Sequence, residues 1–154
     1  MDMDLTVEAT GSAPLMEILV VEDNEGDAFL LVKFLEHSKF PNHVTVVRDG
    51  MEASDFLKKK GHHIGAKRPD LVFLDLNLPR KDGRIVLAEI KESDDLKDIP
   101  VVVLTTSSWE QDVLQAYDFH ANLYLIKPPD LEQFLASMKY VEDVWMRTIV
   151  PSGR

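Results

Sequence analysis

The sequence predicts an α/β domain built on a doubly wound, five-stranded parallel sheet with strand order 2-1-3-4-5. Short runs of strand-forming apolar residues alternate five times with segments whose apolar residues recur at helical spacing. The central run, Leu71 to Leu74, is continuously apolar, as a strand covered on both faces must be. Right-handed crossovers then leave only a few doubly wound orders, of which 2-1-3-4-5 is adopted.

Residues 1–15, with Gly11, Ser12, Ala13 and Pro14, carry little patterned hydrophobicity and read as a mobile N-terminal tail. Ile18 to Val21 is the first strand, closed by Glu22, Asp23 and Asn24. Ala28, Leu31, Val32 and Leu35 then mark a helix. Phe40-Pro41-Asn42 breaks it, His43 to Val47 is the second strand, and Asp49-Gly50 opens a helix with Ala53, Phe56 and Leu57 inward. The basic connection Lys58 to Pro69 contains Gly61, His62, His63 and Gly65. Adjacent histidines are metal-ligand types, but no carboxylate or third histidine lies in the loop, so it reads as solvated.

The third strand ends on Asp75, and Lys81-Asp82-Gly83 leads into a helix from about Arg84 to Glu92. Pro100 precedes the fourth strand, Val101 to Leu104, which runs into Thr105-Thr106-Ser107-Ser108. A helix carrying Val113, Ala116 and Tyr117 follows, then a fifth strand, Leu123 to Ile126. Asp130 caps a long amphipathic helix through Leu131, Phe134, Leu135, Met138, Val141 and Trp145. The folded domain is expected over 16–147, with 148–154 a C-terminal tail.

A net charge of −10 argues against a nucleic-acid or anionic-membrane surface, which calls for a basic face. The absence of cysteine excludes disulfides and thiolate metal sites. Met1 to Pro14 lacks the basic and apolar regions of a secretory signal, and no apolar run approaches the roughly 20 residues that cross a bilayer. A cytoplasmic protein is expected.

In the adopted order strands 1, 3, 4 and 5 are neighbours, so the polar residues that end them converge. These are Glu22-Asp23, Asp75, Thr105 and Lys127. Each alone is an ordinary cap or surface group; all four at adjacent strand ends form a site. Carboxylates packed together repel, and their pKa values rise unless a cation compensates. Mg²⁺ suits them, with Asp23 and Asp75 as direct ligands, Glu22 through water and the Asn77 carbonyl as a further ligand. Asp75 beside such a cation can serve as a nucleophile toward phosphorus, with Lys127 and Thr105 holding the phosphoryl oxygens.

The segments Val20-Val21-Glu22-Asp23-Asn24, Leu74-Asp75-Leu76-Asn77-Leu78-Pro79, Leu104-Thr105-Thr106 and Ile126-Lys127-Pro128 resemble the motifs of response regulator receiver domains in two-component signalling. The resemblance covers Glu17 to Trp145 and implies the flavodoxin-like receiver fold. It makes Asp75 the phosphoacceptor, Glu22 and Asp23 the acidic metal pair, Thr105 the switch hydroxyl, Lys127 the phosphate-binding lysine and Tyr124 the switch aromatic. It also implies a cis Lys127-Pro128 bond. For Tyr124 an exposed edge aromatic without a role is the alternative.

Asp75 to Arg84 and Pro100 to Ser107 resemble, more narrowly, the small single-domain regulators that partner phytochrome-like histidine kinases. Glu22 stands where many receivers have aspartate, which lengthens the reach to metal without removing the charge. The resemblance implies a signalling phosphoacceptor in a phosphorelay, modified once and slowly dephosphorylated, rather than an enzyme. The alternatives are a degenerate receiver acting only as a binding module and a dehalogenase-type phosphatase; the latter carries Asp-x-Asp after its first strand, whereas here Asn77 fills the second position and the motif follows the third. No segment after Trp145 is long enough for a DNA-binding output domain. Output is therefore expected through the face of the fourth predicted helix, the fifth strand and the last helix. Trp145, Met146, Ile149 and Val150 add apolar surface there, and a homodimer is expected; the alternative is that they fold back on their own core.

Overall fold

The computed structural model describes residues 15–106, 122–127 and 130–149. In chain order the elements are β1 (Met16–Val21), α1 (Glu25–Glu36), β2 (Asn42–Val47), α2 (Gly50–Lys58), β3 (Leu71–Asp75), α3 (Gly83–Glu92), β4 (Val101–Thr105), β5 (Asn122–Ile126) and α4 (Leu131–Tyr140). All strand pairs are parallel, in the order β2-β1-β3-β4-β5 that the sequence predicts. The helix expected around Val113, Ala116 and Tyr117 lies outside the described residues, as do residues 1–14 and Pro128 with the cis bond expected there.

Alternating side chains of the strands feed two cores. Leu19, Val21, Val72, Leu74, Val101, Val103 and Tyr124 meet Ala53, Phe56 and Leu57 of α2 and Val86, Leu87 and Ile90 of α3. On the other face Ile18, Val20, Leu71, Phe73, Val102 and Leu104 meet Leu31 and Leu35 of α1 and Met138 of α4. Every residue of β3 is buried, as its unbroken apolar run requires.

Each described helix begins on a side-chain cap: Asn24 accepts from Asp27 N–H, Asp49 from Glu52, Asp82 from Arg84 and Asp130 from Gln133. The boundaries of β1 and β2 exceed the expected ones. Met16 N–H donates to Pro41 C=O, and Glu17 N–H to the Asp70 carboxylate, so pairing begins two residues before Ile18.

The last helix does not continue as an α-helix to Trp145. At Val141–Trp145 it widens into a π-turn in which Met146 N–H reaches Val141 C=O, followed by a 3₁₀ turn at Met146–Thr148. Val141 and Met146 are thereby both buried, and Trp145 and Ile149 pack against the same core. The C-terminal apolar residues therefore fold back on their own domain, and the expected surface of Trp145, Met146 and Ile149 does not form; Val150 lies outside the described residues. Among the described residues no helix is long and apolar enough to cross a membrane.

Candidate functional site

Four strands end together at one edge of the sheet. The register sets Val21 beside Leu74, Asp75 beside Leu104, and Thr105 beside Ile126, one residue before Lys127. The polar residues that follow the apolar runs are thus neighbours because the runs themselves are in register. Lys127 N–H donates to Thr105 C=O at 2.7 Å, which fixes the start of the lysine side chain.

Lys127 Nζ lies 3.0 Å from Asp75 Oδ2, 3.0 Å from Glu22 Oε1, 3.1 Å from Glu22 Oε2 and 3.0 Å from Asp27 Oδ2. Glu22, Asp75 and Thr105 are buried, while Asp23 next to Glu22 is exposed. The other Asp75 oxygen, Oδ1, accepts the Asn77 N–H at 2.9 Å, which orients the carboxylate and brings the Asn77 backbone to the site. Tyr124 is 5% exposed and packs with α3, which removes the alternative of an exposed edge aromatic.

Burial pushes the Glu22 carboxyl up to about 7, and the contact with Asp75 adds to this; Asn24 N–H and Lys127 offset only part of it. Burial would lower the Lys127 ammonium, but its contacts with Glu22, Asp27 and Asp75 more than reverse this and hold it well above its ordinary value. One ammonium therefore serves three carboxylates. This donor set fits a hard divalent cation: it offers only oxygens, among the described residues its negative charge exceeds the positive charge, and Asp23, next in the chain to Glu22, is exposed. Glu22, Asp23, Asp75 and the backbone of Asn77 are the groups that would hold it.

Asp27 is the residue that sequence reasoning missed. In the first turn of α1 it looks like an ordinary acidic residue favoured at a helix N-terminus. Only the fold shows Lys127 reaching it across 100 positions of the chain.

The loop from β3 to α3 is clamped on both sides. Gly83 N–H donates to Leu76 C=O, and a Cβ on Gly83 would collide with the Asp75 carbonyl and the Leu76 backbone. Gly50 N–H donates to Pro79 C=O, and a Cβ there would overlap the Lys81 carbonyl. Lys81 Nζ is held by Glu89 at 2.8 Å and Ser54 at 2.9 Å, while Arg80 takes up a left-handed φ of 68°. The position of Asp75 thus depends on α2 and α3 as well as on its own strand.

The basic connection after α2 is not wholly solvated as expected. Its 3₁₀ turn, Gly61–His63, carries His63 back against Phe56, and Glu52 of α2 supplies the carboxylate that the loop itself lacks.

Comparisons with known proteins agree with this geometry. The response regulator receiver domain model matches residues 18–139. Response regulator Rcp1 of Synechocystis sp. is 45% identical over 138 residues, covering 90% of this chain and 94% of Rcp1. The crystal structure of the phosphorylated cyanobacterial phytochrome response regulator RcpA superposes with a TM-score of 0.80 at 48% identity, covering 88% of this chain and 96% of that one. The Mn²⁺-bound form of Rcp1 gives a TM-score of 0.81 at 43% identity, covering 90% and 99%.

Proposed function

The chain belongs to the response regulator receiver family, and on that premise we propose that it accepts a phosphoryl group on Asp75 from a histidine kinase. The observation that carries this is the single lysine, Lys127, bound at once to Asp75, Glu22 and Asp27. An anionic nucleophile is held beside a cation, and an excess of carboxylate is ready for Mg²⁺.

In the reaction an Asp75 oxygen bonds to phosphorus as the bond from phosphorus to the kinase imidazole nitrogen breaks, and that nitrogen leaves with the electron pair. Asn77 N–H holds the carboxylate in place while it attacks. Lys127 transfers its ammonium from the Asp75 oxygen to a phosphoryl oxygen, and the Thr105 hydroxyl meets another, a role that the position of Thr105 at the end of β4 supports. Bound Mg²⁺ would supply charge neutralisation between the anionic nucleophile and the anionic donor. Movement of Thr105 toward the phosphoryl group would be read by Tyr124, the buried aromatic two residues along the neighbouring register.

The kinase is proposed to be phytochrome-like, because RcpA, a cyanobacterial phytochrome response regulator, is matched over 96% of its chain. A homodimer through β5 and α4 is proposed as the readout. β5 is an edge strand, and Ile126, Leu131, Leu135 and Tyr140 expose apolar surface beside it. Sedimentation with and without beryllofluoride and Mg²⁺ should show dimer favoured by the phosphoryl analogue. A monomer in both states would remove this readout.

The central reading is tested by Asp75→Asn, which keeps the shape and removes the nucleophile. Phosphoryl incorporation from acetyl phosphate or a kinase, labile to hydroxylamine, should be present in the wild type and abolished in the variant. Incorporation at wild-type level in the variant would refute the assignment, and sustained turnover of a generic phosphate ester by the wild type would favour a phosphatase instead.

A further inference from the structure

We propose that Glu52, His62 and His63 form a second metal site, one for a transition-metal cation such as Zn²⁺, on the opposite side of α2 from the β3–α3 loop. One ligand atom from each residue lies within 4.8 Å of the others. Glu52 comes from the first turn of α2, and the histidines come from the 3₁₀ turn that follows this helix.

The closest pair is informative. His63 Nε2 is 3.4 Å from Glu52 Oε2, yet this buried nitrogen makes no hydrogen bond among the described residues. A nitrogen and a carboxylate oxygen that face each other at this distance outside hydrogen-bond geometry have the relation of two ligands of one ion. Tetrahedral zinc with bonds of about 2.0–2.1 Å places its ligand atoms roughly 3.4 Å apart. Two imidazoles and a carboxylate are ligands that zinc accepts, and a fourth position remains for water.

The groups behind the ligands are already fixed. Glu52 Oε1 accepts the Arg48 N–H at 3.3 Å, which leaves Oε2 to the histidine. Phe56 holds the His63 ring edge to face at 5.3 Å, and the His62 and His63 rings stack within 4.0 Å, tilted by 42°. Lys59 and Gly61, both at left-handed φ, turn the chain so that two consecutive histidines approach the helix. Two lysines of this connection are paired elsewhere: Lys58 Nζ lies 3.8 Å from Glu89 and Lys67 Nζ 3.8 Å from Glu17. Such oriented ligands cost little to assemble around a cation.

The test is a Zn²⁺ titration of the full chain against a chromophoric competitor, with excess Mg²⁺ to occupy the acidic cluster around Asp75. One equivalent of Zn²⁺ should bind, and Co²⁺ in its place should give the intense visible absorption of a tetrahedral site. Glu52→Gln and His62→Ala should each weaken binding by about tenfold or more, at least the loss that removing an outer partner of a ligand brings. His62 is exposed, so its removal leaves the core intact. His63→Ala should abolish binding, with thermal unfolding of the metal-free variant as the control on folding. Asp23→Ala should leave the stoichiometry and affinity unchanged. Affinity unaffected by both Glu52→Gln and His62→Ala, or loss of binding in Asp23→Ala, would overturn the site. No Zn²⁺ binding at micromolar concentrations would reduce the cluster to a contact between His63 and Glu52.

Discussion

Glu22, at the carboxyl end of the sheet, and Glu142, at its amino end, are buried almost equally, exposing 2% and 5% of their surface. Their acidities nevertheless move in opposite directions: Glu22 is pushed up to about 7, whereas Glu142 is held below its ordinary value. Burial opposes ionisation in both, more strongly at Glu22, and the partners widen the difference. Glu142 has two donors to itself and shares a third: Oε2 accepts from Ser38 Oγ at 2.8 Å and from Lys39 N–H at 3.1 Å, and Oε1 from Lys139 at 3.4 Å, which also reaches Asp143 at 3.5 Å. Glu22 shares one lysine with Asp75 and Asp27 and has Asp75 beside it. A buried carboxylate in a finished structural contact has its donors; one in a site built to receive something is left short of positive charge.

The largest way to break this comparison is to remove the two lysines in turn. Lys127→Ala leaves three carboxylates without their common cation and should cost about 3 kcal/mol in the metal-free protein near neutral pH. Lys139→Ala removes an exposed partner of Glu142 whose main donors remain, and should cost well under about 1 kcal/mol. Urea denaturation of both variants checks this, and equal losses would erase the distinction between the two ends of the sheet.

The next test supplies the missing charge. Mg²⁺ at about 100 times its dissociation constant should raise unfolding free energy by roughly 2.7 kcal/mol if it binds only the folded state. Asp23→Ala should lose most of that gain, while Glu142→Gln should keep it. A gain of the same size in Asp23→Ala would place the cation elsewhere.

Much of this contrast was legible in the sequence at one end of the sheet and almost none of it at the other. Glu22, Asp75, Thr105 and Lys127 each stand directly after a short apolar run, and parallel pairing in register brings such ends together without any knowledge of side-chain packing. The strand order and the caps at Asp82 and Asp130 are local or topological for the same reason. Nothing in the sequence marks Glu142 out from the other polar positions of its helix. It lies at helical spacing from buried Met138 and faces inward with it, and its partners Ser38 and Lys39 lie more than 100 positions away. Asp27 and Glu52 were hidden likewise: acidic first-turn residues satisfy a helix dipole whether or not they face a lysine or a histidine from a distant segment. The apolar end of the chain carried no sign of direction, and Trp145, Met146 and Ile149 proved to cover their own core.

The smallest effect concerns the pH dependence of the Glu142 contact. Its folded pKa is depressed below the ordinary value of 4.5, so the unfolded chain binds a proton more readily than the folded one. The stabilisation from Glu142 is therefore fully present above the unfolded value and is lost as pH falls through the folded one. Glu142→Gln keeps the shape but weakens the bonds from Ser38, Lys39 N–H and Lys139, and should cost about 2 kcal/mol at neutral pH. In acid the wild type protonates the same carboxyl and loses the same charge-assisted bonds, so the gap between the two proteins should close as pH drops below about 4.5. Unfolding free energies measured across that range decide the matter. A gap that stays constant from neutral to acid pH would mean that the cost comes from the amide group itself and not from the lost charge, and that the two ends of the sheet do not differ in the way their carboxylates are charged.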